Sequence, residues 1–109
     1  IVEKFERLLN DHFAQDSLIN TGVPDVKFCA SQLNLSANYL SDLLSKYTGK
    51  STQEHIHLKL IDKAKHLLWS TEKPISEIAY ELGFEHPSHF TKIFKNKVGQ
   101  SPKEFRNLN

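Results

Sequence analysis

The sequence predicts an all-α fold in which two helix-turn-helix units flank a long linker helix. Three observations carry that expectation. Apolar residues recur at helical spacing along the whole chain, and no strand-like alternation persists. A segment beginning at Val26 recurs from Ile75, corner and cap residues included. An unbroken amphipathic stretch separates the two copies.

Taken in order, Ile1, Val2, Phe5, Leu8, Leu9 and Phe13 form one stripe of a first helix, and Gly22 and Pro24 then break the chain. The repeat follows. VKFCASQLNL, residues 26–35, lies over ISEIAYELGF, residues 75–84, at an offset of 49. Val26 matches Ile75, Cys29 matches Ile78, Ala30 matches Ala79, Leu33 matches Leu82 and Leu35 matches Phe84. One inserted residue later the offset is 50, and Leu40, Leu43, Leu44 and Gly49 match Phe90, Ile93, Phe94 and Gly99. STQE, residues 51–54, then lies over SPKE, residues 101–104.

Each copy reads as the same object. A short helix ends at Asn34 or Gly83, residue types that tolerate the left-handed backbone of a tight turn. Leu35 or Phe84 plugs the corner. A second helix starts at the N-cap Ser36, or at about His86 with Pro87 at the first helical position. It ends at Gly49 or Gly99. Ser51 with Glu54, and Ser101 with Glu104, are capping boxes that open the next helix. The units therefore span 1–50 (with the leading helix) and 71–109, and the linker helix 51–70. A rod of that length is roughly 30 Å, close to the ~34 Å between adjacent major grooves on one face of DNA. Two recognition helices on such a rod fit one DNA turn.

Composition bounds the function. At 109 residues, 39% hydrophobic and 25% charged, the chain is one globular domain. No apolar run approaches the roughly 18 residues of a membrane span, so no membrane contact is expected. The lone Cys29 fits a reducing, cytoplasmic compartment and, aligned with Ile78, reads as a small buried hydrophobe. The chain starts at Ile1 and lacks methionine, so the expectation is a piece of a longer protein without its upstream sensor or regulatory domain. The net charge of +1 is unevenly spread. Residues 1–25 hold two basic and five acidic side chains, a balance of −3; residues 86–106 hold five basic and one acidic, a balance of +4. Segregated positive charge points to a polyanion.

The chain resembles the DNA-binding domain of the AraC family of transcription regulators over essentially its whole length, to Asn109. The residues that carry the resemblance are LSANYLSDLLSKYTGKS, KLIDKAKHLL and, above all, ISEIAYELGFEHPSHFTKIFKNKVGQSPKEFR. It implies seven helices, binding of double-stranded promoter DNA through adjacent major grooves, contact with RNA polymerase, and dimerisation through an upstream domain. Two positions depart from the family pattern. Leu60 stands where the linker helix usually has arginine, and Asp42 where the first recognition helix commonly has a basic residue.

With the apolar positions assigned by the repeat, the outward residues of the two recognition helices, about 36–48 and 86–98, are the candidate readers. Base contacts are expected from Asn38, Ser41, Asp42, Pro87, Ser88, Thr91 and Lys92. Phosphate contacts are expected from Lys27, Lys46, Lys50, Ser76, His86, Lys95, Lys97, Lys103 and Arg106. His86 and His89 are spaced i, i+3 but lack the further ligands a zinc site needs, so no metal or cofactor is expected. His55 and His57 read as structural or solvated, and Trp69 and Phe105 as core. An enzyme is not expected, because no phosphate loop, nucleophile–base set or paired carboxylates stand out. The competing reading is a helical protein–protein interaction module.

Overall fold

The computed structural model describes residues 1–14 and 18–108, apart from the side chains of Ile19 and Asn20. Asn109, which the sequence reading includes in the second unit, lies outside the described residues. The described residues form α1 (Val2–Ala14), α2 (Leu18–Thr21), α3 (Val26–Gln32), α4 (Ala37–Thr48), α5 (Thr52–Ser70), α6 (Ile75–Glu81), α7 (Pro87–Val98) and α8 (Pro102–Arg106), with no strand. The seven expected helices are all present, and α2 adds a single turn. Among these residues no helix is long and apolar enough to cross a membrane.

The chain divides into two compact units, Ile1–Gln15 with Pro24–Lys59, and Asp16–Val23 with Leu60–Asn109. The sequence reading set the linker helix apart and gave all of 1–50 to the first unit. Instead α5 contributes to both units, and the segment around α2 belongs with the second.

Both units share their turns, left-handed helix stops and capping boxes, and the first adds side-chain N-caps that α6 and α7 of the second lack. Asp25 caps α3 by accepting the Phe28 N–H at 2.7 Å, and Ser36 caps α4 by accepting the Tyr39 N–H at 3.1 Å. The turns close identically. The Leu35 N–H reaches the Ala30 carbonyl at 2.9 Å and the Phe84 N–H the Ala79 carbonyl at 3.0 Å, around left-handed Asn34 (φ 58°) and Gly83 (φ 95°). The second helices stop at left-handed Gly49 and Gly99. Both capping boxes form, with Glu54 N–H to Ser51 at 3.2 Å and Glu104 N–H to Ser101 at 3.1 Å, each answered by the glutamate. Hydrogen bonds donated to it by the Ser101 backbone N–H and then by the Ser101 side chain hold the Glu104 carboxyl below the usual carboxylate range, and Lys95 adds to the shift.

In the first unit Phe5, Leu9, Phe13, Cys29, Ala30, Leu40, Leu44 and Ile56 are buried. Small Cys29 and Ala30 are the buried residues of α3. Burial pushes the Cys29 thiol up to about 11, with the Asp25 carboxylate adding to the shift. Cys29→Ser should destabilise the unit by about 1 to 3 kcal/mol, because the buried hydroxyl gains no assured partner. Thiol labelling of the native protein should be slow, and rapid labelling would contradict this placement.

The second unit has an aromatic spine. Phe84, Phe90, Phe94 and Phe105 meet in succession with ring centroids 5.5 to 5.8 Å apart. Trp69 ends this series but is not core as expected. It is 55% exposed and lies flat on Phe105, with centroids 4.7 Å apart.

Candidate nucleic-acid interface

The repeat places each recognition helix by burying one face and leaving the other free. In α4 the anchors are Leu40 and Leu44; in α7 they are Phe90 and Phe94, all at 0% exposure. Asn38, Asp42, Ser45 and Lys46 are consequently exposed on α4, and Ser88, Lys92, Lys95, Asn96 and Lys97 on α7. Among the described residues Lys92 and Lys95 make no ion pair. Pro87, at the first helical position, and Thr91 are half-buried. His86 is exposed and makes no side-chain cap bond to α7, so its imidazole is available to an incoming group. His89 is exposed, its ring set edge-on to Phe84 at 5.4 Å. Among the described residues no three His, Cys, Asp or Glu side chains gather as a metal site would require.

Around these helices, Lys27 and Ser76 are exposed in the first turns of α3 and α6. Lys50 is exposed between α4 and α5, and Lys103 on α8. A short polar residue or a lysine at each point suits the approach of a phosphate.

Two expected contacts are corrected. Ser41 is half-buried and its hydroxyl pairs with that of buried Thr52 at 3.1 Å. It ties α4 to the start of α5 rather than facing outward. In the second unit the position of Thr52 is held by Pro102, which has no hydroxyl, so Thr91 has no such tether. Arg106 turns inward: Nε donates to the Leu68 carbonyl at 3.0 Å, Nη1 to Lys73 at 2.6 Å and Nη2 to Thr71 at 3.4 Å. The Leu68 carbonyl lies in the last turn of α5, where carbonyls lack an intrahelical partner, and those of Thr71 and Lys73 in the connection that follows, so the guanidinium fork ties the helix end to that connection. Arg106 therefore leaves the set of phosphate contacts.

The first unit carries a second polar tie that the sequence reading missed. His55 Nε2 lies 2.8 Å from the Thr48 hydroxyl, and that hydroxyl donates to the Leu44 carbonyl at 2.7 Å. The ring sits edge-on to Phe5 at 5.5 Å. Burial, then Lys50, hold the His55 pKa below its ordinary value against the opposing pull of Glu6 and Glu54. The matching positions in the second unit are Val98 and Phe105, an apolar joint. A polar pair at positions that are apolar in the other copy was the available signal.

A family described as a helix-turn-helix domain matches residues 29–108. The transcriptional activator RhaS of an Enterobacter species is 35% identical over 98 residues, covering 90% of this chain and 33% of that protein. The C-terminal domain of AraT, a response regulator from Geobacillus stearothermophilus, superposes with TM-score 0.84 at 30% identity, covering 99% of this chain and 84% of that one. The C-terminal domain of the response regulator YesN from Fusobacterium nucleatum superposes with TM-score 0.81 at 29% identity, covering 95% of both. The chain spans about a third of the length of the curated relatives it matches. RhaS is a transcriptional activator, and AraT and YesN are response regulators. The chain belongs to the AraC-type family of helix-turn-helix domains.

Proposed function

We propose that the chain binds double-stranded promoter DNA sequence-specifically for a bacterial transcription regulator, with α4 and α7 in adjacent major grooves. The observation that carries this reading is the exposed face of α7. Lys92 and Lys95 stand unpaired there, on a helix anchored by Phe90 and Phe94, inside the +4 segment. Helix α5 supports the two-groove part: its 19 residues run unbroken, about 28 Å of rise. Base reading is assigned to Asn38, Asp42, Pro87, Ser88, Thr91 and Lys92, and phosphate contact to Lys27, Lys46, Lys50, Ser76, His86, Lys95, Lys97 and Lys103. A regulator of this kind works in the cytoplasm, contacts RNA polymerase, and dimerises through a further domain; RhaS is itself an activator.

The test is a salt titration of duplex binding. Each phosphate neutralised contributes a slope of about −0.9 in log affinity against log salt, so about five contacts give roughly −4 to −5. A chelator should have no effect. Salt-independent binding favours the competing protein-interaction reading, since a protein interface with a net charge of +1 has little to screen.

A further inference from the structure

Two tyrosines on α4 present their rings to solvent. Tyr39 and Tyr47 are 52% and 67% exposed, and neither hydroxyl is engaged among the described residues. They lie eight residues apart on α4 with Leu43 between them, so they share one edge of the helix, about 12 Å apart along its axis. Lys46 Nζ rests 5.4 Å from the centre of the Tyr47 ring, beside the outward face.

The repeat says what this edge corresponds to. Leu40 over Phe90, Leu44 over Phe94 and Gly49 over Gly99 are structurally equivalent pairs, buried or left-handed alike. In that register Tyr39 stands where α7 has His89, and Tyr47 where α7 has Lys97. Both counterparts are exposed nitrogen donors, and Lys97 is already a candidate phosphate contact. On α4 the same edge thus offers neutral O–H donors, beside an outward Asp42 that would offset added positive charge.

We infer that Tyr39 and Tyr47 are further phosphate contacts of the first unit, beside Lys27, Lys46 and Lys50, donating their hydroxyls to phosphate oxygens of duplex DNA. This rests on the DNA-binding reading above and goes beyond its residue assignments. A phenol donates one hydrogen bond to a phosphate oxygen, and its stiff ring loses little rotamer freedom in doing so. Being neutral, it adds no counterion release. The hold of these two residues on the backbone therefore persists as salt rises, while the lysine contacts of both units weaken.

The experiment uses the 109-residue chain and a duplex selected by it from a randomised pool. Binding of Tyr39→Phe, Tyr47→Phe, Lys97→Ala and Lys92→Ala is measured across a salt series. It is repeated on duplexes carrying one uncharged methylphosphonate at successive backbone positions. Each Phe variant keeps its ring and should bind about 10- to 100-fold more weakly, the loss of one hydrogen bond to a charged group. Its salt slope and base preference should match wild type, and it should lose sensitivity to one methylphosphonate that weakens the wild type. Lys97→Ala should instead flatten the slope by about 0.9. Wild-type affinity in both Phe variants, with Lys92→Ala still impaired, overturns this inference and leaves DNA reading intact. Altered base preference in a Phe variant overturns it as well, by making that tyrosine a base reader. If the pool yields no selected duplex, the DNA-binding reading itself falls and this inference with it.

Discussion

Gly83→Ala should destabilise the second unit by on the order of 3 to 5 kcal/mol, through two separable causes. Gly83 has φ +95°, a backbone conformation that an L side chain adopts only under strain. A Cβ there would also stand 2.8 Å from the Gly22 carbonyl carbon and the Leu18 carbonyl oxygen, and 2.9 Å from the Gly22 Cα. All three are backbone atoms, so relief requires α2 and its connection to move off the turn, and Leu18, 1% exposed, would lose its packing. Gly99 separates the causes. Its φ is +88°, but a Cβ there meets nothing within 4 Å. Gly99→Ala should therefore cost only about 1 to 2 kcal/mol, the conformational part alone. Urea denaturation of the two variants measures the difference. Equal losses would mean that the close approach of Gly22 contributes nothing. Hydrogen exchange should further show α6 and α7 losing protection in Gly83→Ala while α3 and α4 keep theirs.

From the sequence, Gly83 is the counterpart of Asn34, and the turn alone accounts for it. That turn is there, and Asn34 shows that the left-handed conformation tolerates a side chain. The close neighbour, Gly22, is not visible in that comparison. The repeat begins only at Val26, so nothing in the pattern tied the segment around Gly22 to either copy. Residues inside the repeat were legible because each had a counterpart: Cys29 was read as buried from Ile78, and the capping serines from each other. Arg106 and Ser41 were misread for the opposite reason. Their partners are set by tertiary closeness, 33 to 38 residues away for Arg106 and 11 for Ser41. Physical cues existed for both. The Lys73-Pro74 break leaves the end of α5 with carbonyls needing donors, and Thr52 standing where the other copy has Pro102 implied a hydroxyl that needed a partner once buried.

Lys92→Ala should reduce DNA affinity by about 1 to 3 kcal/mol and relax preference at one or two base pairs, the range for a lysine reading a guanine edge. Lys92 is exposed at the middle of the outer face of α7, flanked by Ser88 and Lys95 and backed by the aromatic spine that holds the helix. Removing its side chain disturbs no internal contact among the described residues, so folding stability should stay within about 0.5 kcal/mol of wild type, as for an ordinary surface change. Lys95→Ala, at a position assigned to phosphate, should weaken all duplexes alike and flatten the salt slope by about 0.9. Asp42, the counterpart of Lys92 on α4, is the informative contrast. A carboxylate accepts a hydrogen bond from cytosine N4 but repels phosphate, so Asp42→Ala loses specificity if it reads cytosine and gains affinity if it only repels. Binding of each variant to a panel of single-base-substituted sites distinguishes these outcomes. Unchanged affinity and unchanged base preference in Lys92→Ala would remove α7 as the reading helix. The +4 segment would then act as a general attraction to DNA, and specificity would have to come from α4.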